Sequence, residues 1–164
     1  MGNIVSITKH LTFDSAHYLL NPEYSREKNM AMFHKCCLYK EDDKEEPHGH
    51  TYHIEVTVEG TVSEVDGFVI DFKDLKRILK DGILERMDHR LLNDIPYFKD
   101  KLATVENILH YVWDEIADQI NDLRPGAAWL ESIRMWETPN SFATLTRKMK
   151  QSYRPSLLDS GLGG

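Results

Sequence analysis

The chain has 164 residues, of which 41% are hydrophobic, and a formal net charge of −7. That length suits one domain able to bury a sizeable core, and the acidic balance argues against a general nucleic-acid binder, whose footprint is basic. No apolar run approaches bilayer-spanning length, so no membrane partner is expected, and the N-terminus lacks the apolar stretch of a secretory signal.

In chain order, Ile4 to Phe13 predicts a first strand, with Phe13-Asp14-Ser15-Ala16-His17 at its end. A long polar connection follows, Asn21 to Pro47, containing Lys40-Glu41-Asp42-Asp43-Lys44-Glu45-Glu46. Loops of that length are more often functional or mobile than inert. The charge run itself reads as a solvated excursion. Cys36 and Cys37 are the only cysteines. Neighbours in sequence do not readily adopt disulfide geometry, so a reducing cytoplasm is the simpler inference. One of the two is a candidate reactive thiol.

His48-Gly49-His50 opens the second predicted strand, Thr51 to Gly60, whose residues alternate like a half-buried strand. Residues two apart on a strand share a face, so His48 and His50 emerge side by side. His17, at the end of the earlier run, is placed to add a third imidazole. Three histidines with one open position match a catalytic zinc, whereas a structural zinc takes a fourth protein ligand. An H-x-H pair alone is a weak signal in a chain with eight histidines. His10, His34, His53 and His110 have no ligand-like spacing and read as surface or packing residues.

Asp66-Gly67 predicts a turn and Phe68-Val69-Ile70 a short strand. Asp71 is placed to cap a helix carrying Phe72, Leu75, Ile78, Leu79, Ile83 and Leu84, weakened late by Gly82. Thr104 is a second N-cap, ahead of the apolar stripe Val105, Ile108, Leu109, Val112, Ile116, Ala117 and Ile120. Leu130 to Glu137 and Ser141 to Thr146 close the chain as a strand pair around Pro139-Asn140. The ββααββ order predicts an α+β fold, a four-stranded antiparallel sheet with two helices on one face.

A second cluster is Met87-Asp88-His89-Arg90-Leu91-Leu92-Asn93-Asp94. Asp88 beside His89 suits a proton shuttle, because a carboxylate orients an imidazole and raises its basicity. Glu106 and Glu137 are further candidates, since a carboxylate accepts two parallel hydrogen bonds from an amidine-like heterocycle edge. Glu106 also suits the first turn of its helix through the dipole.

The succession Phe13-Asp14-Ser15-Ala16-His17, Cys36, His48-Gly49-His50-Thr51-Tyr52, Gly67-Phe68-Val69-Ile70-Asp71-Phe72, Met87-Asp88-His89-Arg90-Leu91-Leu92-Asn93, Thr104-Val105-Glu106-Asn107 and Trp136-Glu137-Thr138 resembles the 6-pyruvoyl-tetrahydropterin and 6-carboxytetrahydropterin synthase family. The resemblance spans Phe13 to about Thr138. It implies the tunnelling fold (T-fold), whose subunits assemble into a β-barrel with active sites at their interfaces, here as a homohexamer made of two trimers. It implies Zn2+ on His17, His48 and His50, a cysteine before the His-Gly-His motif as general base, and Asp88 and His89 as the partner proton relay. Glu137 becomes the main pterin anchor, supported by Thr104 and Glu106. The implied substrate is 7,8-dihydroneopterin triphosphate.

The family cysteine usually lies only a few residues before the His-Gly-His motif. Here an inserted acidic segment, about residues 38–47, intervenes. Lys35-Cys36 matches the family context better, so Cys36 is the preferred base and Cys37 its competitor. The expected T-fold domain covers residues 1–151, and 152–164 form a C-terminal tail without a family counterpart. Three functions are open. The first is a 6-carboxytetrahydropterin synthase of deazapurine (queuosine-type) biosynthesis, toward which Asn93-Asp94 and the compact N-terminus lean. The second is a 6-pyruvoyl-tetrahydropterin synthase of biopterin synthesis. The third is a non-catalytic zinc- or pterin-binding homologue.

Overall fold

Two 14-residue strands, β1 (Ile4–His17) and β2 (His48–Thr61), form the backbone of the fold in a computed structural model that describes residues 3–152. They pair antiparallel in unbroken register from Ile4↔Thr61 to His17↔His48. On β2, Tyr52, Ile54, Val56 and Val58 are buried, while His53, Glu55, Thr57 and Glu59 face outward. The outer face is a polar ladder: Ser6 donates to Glu59, the Thr8 and Thr57 hydroxyls pair, and His10 meets Glu55. Both strands reach beyond the expected limits, toward their histidines. The tail expected to begin at residue 152 lies outside the described residues, apart from Ser152 itself.

Between these strands the sequence predicts only loop. The structure instead places α1 (Arg26–Phe33) there, then a single 3-10 turn, His34–Cys36, and a small hairpin bridged at Tyr39↔Glu45. Ser25 caps α1 by accepting from the Lys28 amide. Only Asn29 of this helix is buried, holding the Asn21, Tyr24 and Ser25 carbonyls with its amide.

After β2, Asp71 caps α2 (Phe72–Leu79) through the Lys73 amide. The helix continues through a π-helical turn, Lys80–Leu84, into α3 (Glu85–Met87). A Cβ on Gly82 would stand 2.8 Å from Ile116 Cγ2, so this glycine permits the close approach of the next helix. That helix is α4 (Val105–Leu123), capped by Thr104. Ile78, Ile83, Ile108, Val112 and Ile116 pack against Ile54, Val56, Leu130, Ile133 and Met135 in one core. Each such burial contributes about 1.5–3 kcal/mol.

Two expectations need correction. Phe68-Val69-Ile70 is not a strand. Val69 and Ile70 are buried, but the Phe68 and Val69 carbonyls accept from Arg124 Nη1 at 2.7 and 2.8 Å. One guanidinium thus replaces the neighbouring strand. The sheet has five strands, not four, because β3 (Arg90–Leu91) pairs parallel with Ser15 and Ala16 of β1. With β4 (Ala128–Thr138) and β5 (Ser141–Thr146), the order is β3-β1-β2-β4-β5. The sheet of the single chain is open, so the barrel expected above needs further copies; among the described residues β5 is unpaired at one edge and most of β1 at the other. The short helix α5 (Arg147–Ser152) ends the described residues.

Candidate metal centre and active site

The inner face of the sheet runs from apolar to chemical at one end. Tyr52, Ile54 and Val56 continue along β2 into His50 and His48, and His17 stands directly across from His48. One ring nitrogen from each of His17, His48 and His50 lies within 4.8 Å of the other two. His17 is almost fully buried, and its Nδ1 donates to the Ala103 carbonyl at 2.6 Å. That bond fixes the tautomer and leaves the Nε2 lone pair facing the cluster. His17 Nε2 comes within 3.0 Å of His48 Nε2. His48 Nδ1 and His50 Nε2 are buried without a hydrogen-bond partner among the described residues.

Burial, first of all, opposes protonation here. It lowers the pKa of His17, and it brings His48 to about 4 together with the neighbouring charges of His17, His50 and Lys40. Neutral imidazoles with orphaned nitrogens are the donor set that a borderline-soft divalent metal takes. The residues present therefore fit zinc.

Glu137 joins this group because of a bulge. Thr57 pairs with Ser132 and Val58 with Leu130, so Glu131 is an extra residue on β4. A one-residue slip exchanges the faces of a strand. Before the bulge Ala128 and Leu130 are buried, and after it Ile133 and Met135. Glu137 follows in the same phase. Its Oε1 lies 3.4 Å from His17 Nε2 and 3.9 Å from His50 Nε2. Were Glu131 paired in regular register rather than bulged, the alternation would present Trp136 instead.

Cys36 is partly buried and Cys37 fully so. Burial and the Glu137 carboxylate push the Cys36 thiol up, with Lys40 opposing them. Burial, aided by Glu137 and Cys36, also holds Tyr52 as a neutral phenol. Cys36, Tyr52 and Glu137 therefore share one electrostatic neighbourhood with the imidazoles.

Thr104 and Glu106 stand at the start of α4. The Thr104 hydroxyl accepts from the Asn107 amide, and Glu106 is exposed in the first turn. The adjoining Ala103 carbonyl is the group that touches His17. Asn107 fixes this corner by donating to the Leu102 carbonyl at 2.8 Å.

Asp88 and His89 lie elsewhere. Asp88 Oδ1 accepts from the Asp14 amide at 2.9 Å and meets His89 Nδ1 at 2.9 Å. The Asp14 amide, and then His89, keep Asp88 ionised below the usual carboxylate range. His89 adopts φ +55° and donates its amide to the Asp14 carbonyl. It borders an open groove with Asp14, Gly49 and Thr51, outward-facing positions of β1 and β2, and with His50 at its margin. A single chain thus carries the Asp88–His89 pair on the outward side of β1 and the imidazole trio on the inner side, with His50 bordering both.

Sequence reasoning missed Ala103, which acts through its backbone, and Lys40, hidden in a run read as solvated. It also missed the role of Asn93. That amide brackets Tyr18, accepting from its nitrogen at 2.9 Å and donating to its carbonyl at 3.1 Å, and so ties down the chain leaving His17.

Fold and site together define an α+β protein of the T-fold class with a three-imidazole centre. The family model described as 6-pyruvoyl tetrahydropterin synthase matches residues 6–148. A Dictyostelium discoideum 6-pyruvoyl tetrahydrobiopterin synthase is 32% identical over 143 residues, 87% of this chain and 96% of the relative. A Haemophilus influenzae 6-carboxy-5,6,7,8-tetrahydropterin synthase is 30% identical over 83% of this chain and 94% of its own. The solved Caenorhabditis elegans 6-pyruvoyl tetrahydropterin synthase superposes with a TM-score of 0.74 at 28% identity, covering 88% of this chain and 96% of that one. The chain belongs to the 6-pyruvoyl tetrahydropterin synthase family, and its place is among the pterin synthases.

Proposed function

We propose that this chain is a cytoplasmic, zinc-dependent 6-carboxytetrahydropterin synthase. It converts 7,8-dihydroneopterin triphosphate to 6-carboxytetrahydropterin, acetaldehyde and triphosphate, a step toward deazapurine (queuosine-type) products. The observation that carries the reading is the convergence of three imidazoles, two of them with a buried ring nitrogen left without a hydrogen-bond partner among the described residues, beside a carboxylate. Asn93-Asp94 and the Haemophilus relative favour the carboxy branch. The second reading, a 6-pyruvoyl-tetrahydropterin synthase that eliminates triphosphate without carbon–carbon cleavage, is favoured by the Dictyostelium relative.

Zinc held by His17, His48 and His50 would polarise the substrate side-chain oxygens and acidify the neighbouring C–H bonds. Glu137 accepts two parallel hydrogen bonds from the pterin edge and so orients the side chain toward the imidazoles. Thr104 and Glu106 support that edge from the start of α4. The Cys36 thiolate takes a proton from one side, and His89, oriented by Asp88, moves a proton on the other.

Because His89 and the trio occupy different faces of one chain, the complete site needs a second copy. Two open sheet edges give the means, since unpaired strands are natural templates for pairing. We take the assembly to be a homohexamer of two trimers. Co-assembly tests this reading. The His48→Ala and His89→Ala proteins should each be inactive on 7,8-dihydroneopterin triphosphate. Mixed oligomers of the two should regain a measurable share of turnover, because some interfaces then hold one intact half-site from each. Mixed oligomers as inactive as their parents would rule out the shared site.

A further inference from the structure

The acidic insertion is tied into the molecule. Its hairpin is closed by the Lys40 amide donating to the Lys44 carbonyl and the Glu46 amide to the Leu38 carbonyl. Arg26 of α1 grips it from outside, donating to the Lys40 carbonyl at 3.1 Å, pairing with Asp43 at 2.9 Å and stacking over the Tyr39 ring. The result is that Lys40 folds back over the cysteine turn. Its Nζ donates to the Lys35 carbonyl and to the Cys37 carbonyl, each at 3.1 Å. These two carbonyls flank Cys36 on either side.

We infer that the insertion is a working part of the active site, and that Lys40 is its positioning residue, clamping the turn that presents Cys36 and setting a fixed positive charge beside the thiol. The inference rests on the reading of Cys36 as the base. It gives a physical role to the segment that separates the cysteine from the His-Gly-His motif. The groups facing the thiol are Lys40 from the hairpin, Glu137 from β4 and Tyr52 from β2, with His34 and Lys35 flanking it on its own turn. Lys40 favours the thiolate, against burial and Glu137. The same ammonium opposes protonation of His48, which places it within electrostatic reach of the metal side as well.

Alkylation tests this directly, because Cys37 is fully buried and iodoacetamide then reports on Cys36. The zinc-loaded protein is labelled across a pH series, with the site of labelling read by mass spectrometry. In Lys40→Met the midpoint of the labelling profile should rise by about one pH unit, as for a lost neighbouring charge. The rate near neutral pH should fall about threefold, since the more basic thiolate is also more nucleophilic. Lys40→Gln keeps a donor for the two carbonyls without the charge and should shift the profile in the same direction. Lys40→Arg should restore it. In both neutral variants kcat should fall more than KM rises. Profiles of Lys40→Met and Lys40→Gln that superimpose on wild type would overturn the role of Lys40. Full turnover by Cys36→Ala would instead overturn the reading of Cys36 as base, whatever the lysine variants do.

Discussion

The His48→Ala protein is expected to lose stoichiometric zinc and, with it, turnover. His48 pairs with His17 across the two longest strands, and its ring is one of only three imidazoles in the cluster. Removing a residue that merely orients a ligand costs about 10–100-fold in metal affinity, and losing a ligand should cost at least that. The fold should survive, because the apolar core begins at Tyr52 and runs away from this end. Metal analysis of the purified variant checks the claim, with circular dichroism as the control for folding. The wild-type site carries a pH signature of the same origin. His48 is brought to about 4, so it stays unprotonated and able to bind metal at pH 6. Zinc should leave as the pH falls toward that value, when protons compete for the ring nitrogens. The unfolded chain, whose histidine titrates near 6.5, binds that proton more readily. The metal-free protein should therefore lose stability progressively as the pH drops from about 6.5 toward about 4.

The second large effect belongs to the cysteines. Cys36→Ala should keep its zinc yet lose turnover by roughly 10²–10⁴-fold, the range for a missing general base. Cys37→Ala should retain most activity. Cys37 is fully buried and its backbone is bridged to Leu19, so its loss should cost packing, about 1 kcal/mol, rather than chemistry. Steady-state kinetics on 7,8-dihydroneopterin triphosphate, together with metal content, separates the two variants. If Cys37→Ala were the inactive one, the insertion would begin one residue later than placed here.

The grouping of the histidines at one end of the sheet was legible because strand alternation is a strong local code. His48, His50 and Tyr52 share a parity with Ile54 and Val56, so their common face follows from the sequence alone. The caps Asp71 and Thr104 were legible for a similar reason, each satisfying amides within its own first turn. What escaped depends on partners distant in sequence. Phe68-Val69-Ile70 looks like a strand, and only Arg124, beyond the long helix α4, shows why its carbonyls need no neighbouring strand. The two residues of β3 are too few to alternate, and they pair with β1 because Met87 and Asp88 dock there. The helix α1 has no apolar stripe, so its periodicity carried no signal beyond Ser25. The bulge at Glu131 that turns Glu137 toward the histidines is a property of pairing, not of the residue. Lys40 sat in a run of charges, and a charge that folds back onto two carbonyls reads the same in sequence as one that points to water.

Identifying the products tests the central claim most directly. The zinc-loaded protein is incubated with 7,8-dihydroneopterin triphosphate, and the pterin, the small carbonyl product and the released phosphate are analysed by mass spectrometry. The expected outcome is 6-carboxytetrahydropterin with equimolar acetaldehyde and triphosphate, all abolished in His48→Ala. A 6-pyruvoyl pterin with no acetaldehyde would contradict the carboxy assignment, and substrate recovered unchanged from protein carrying its full zinc would contradict catalysis at this site altogether.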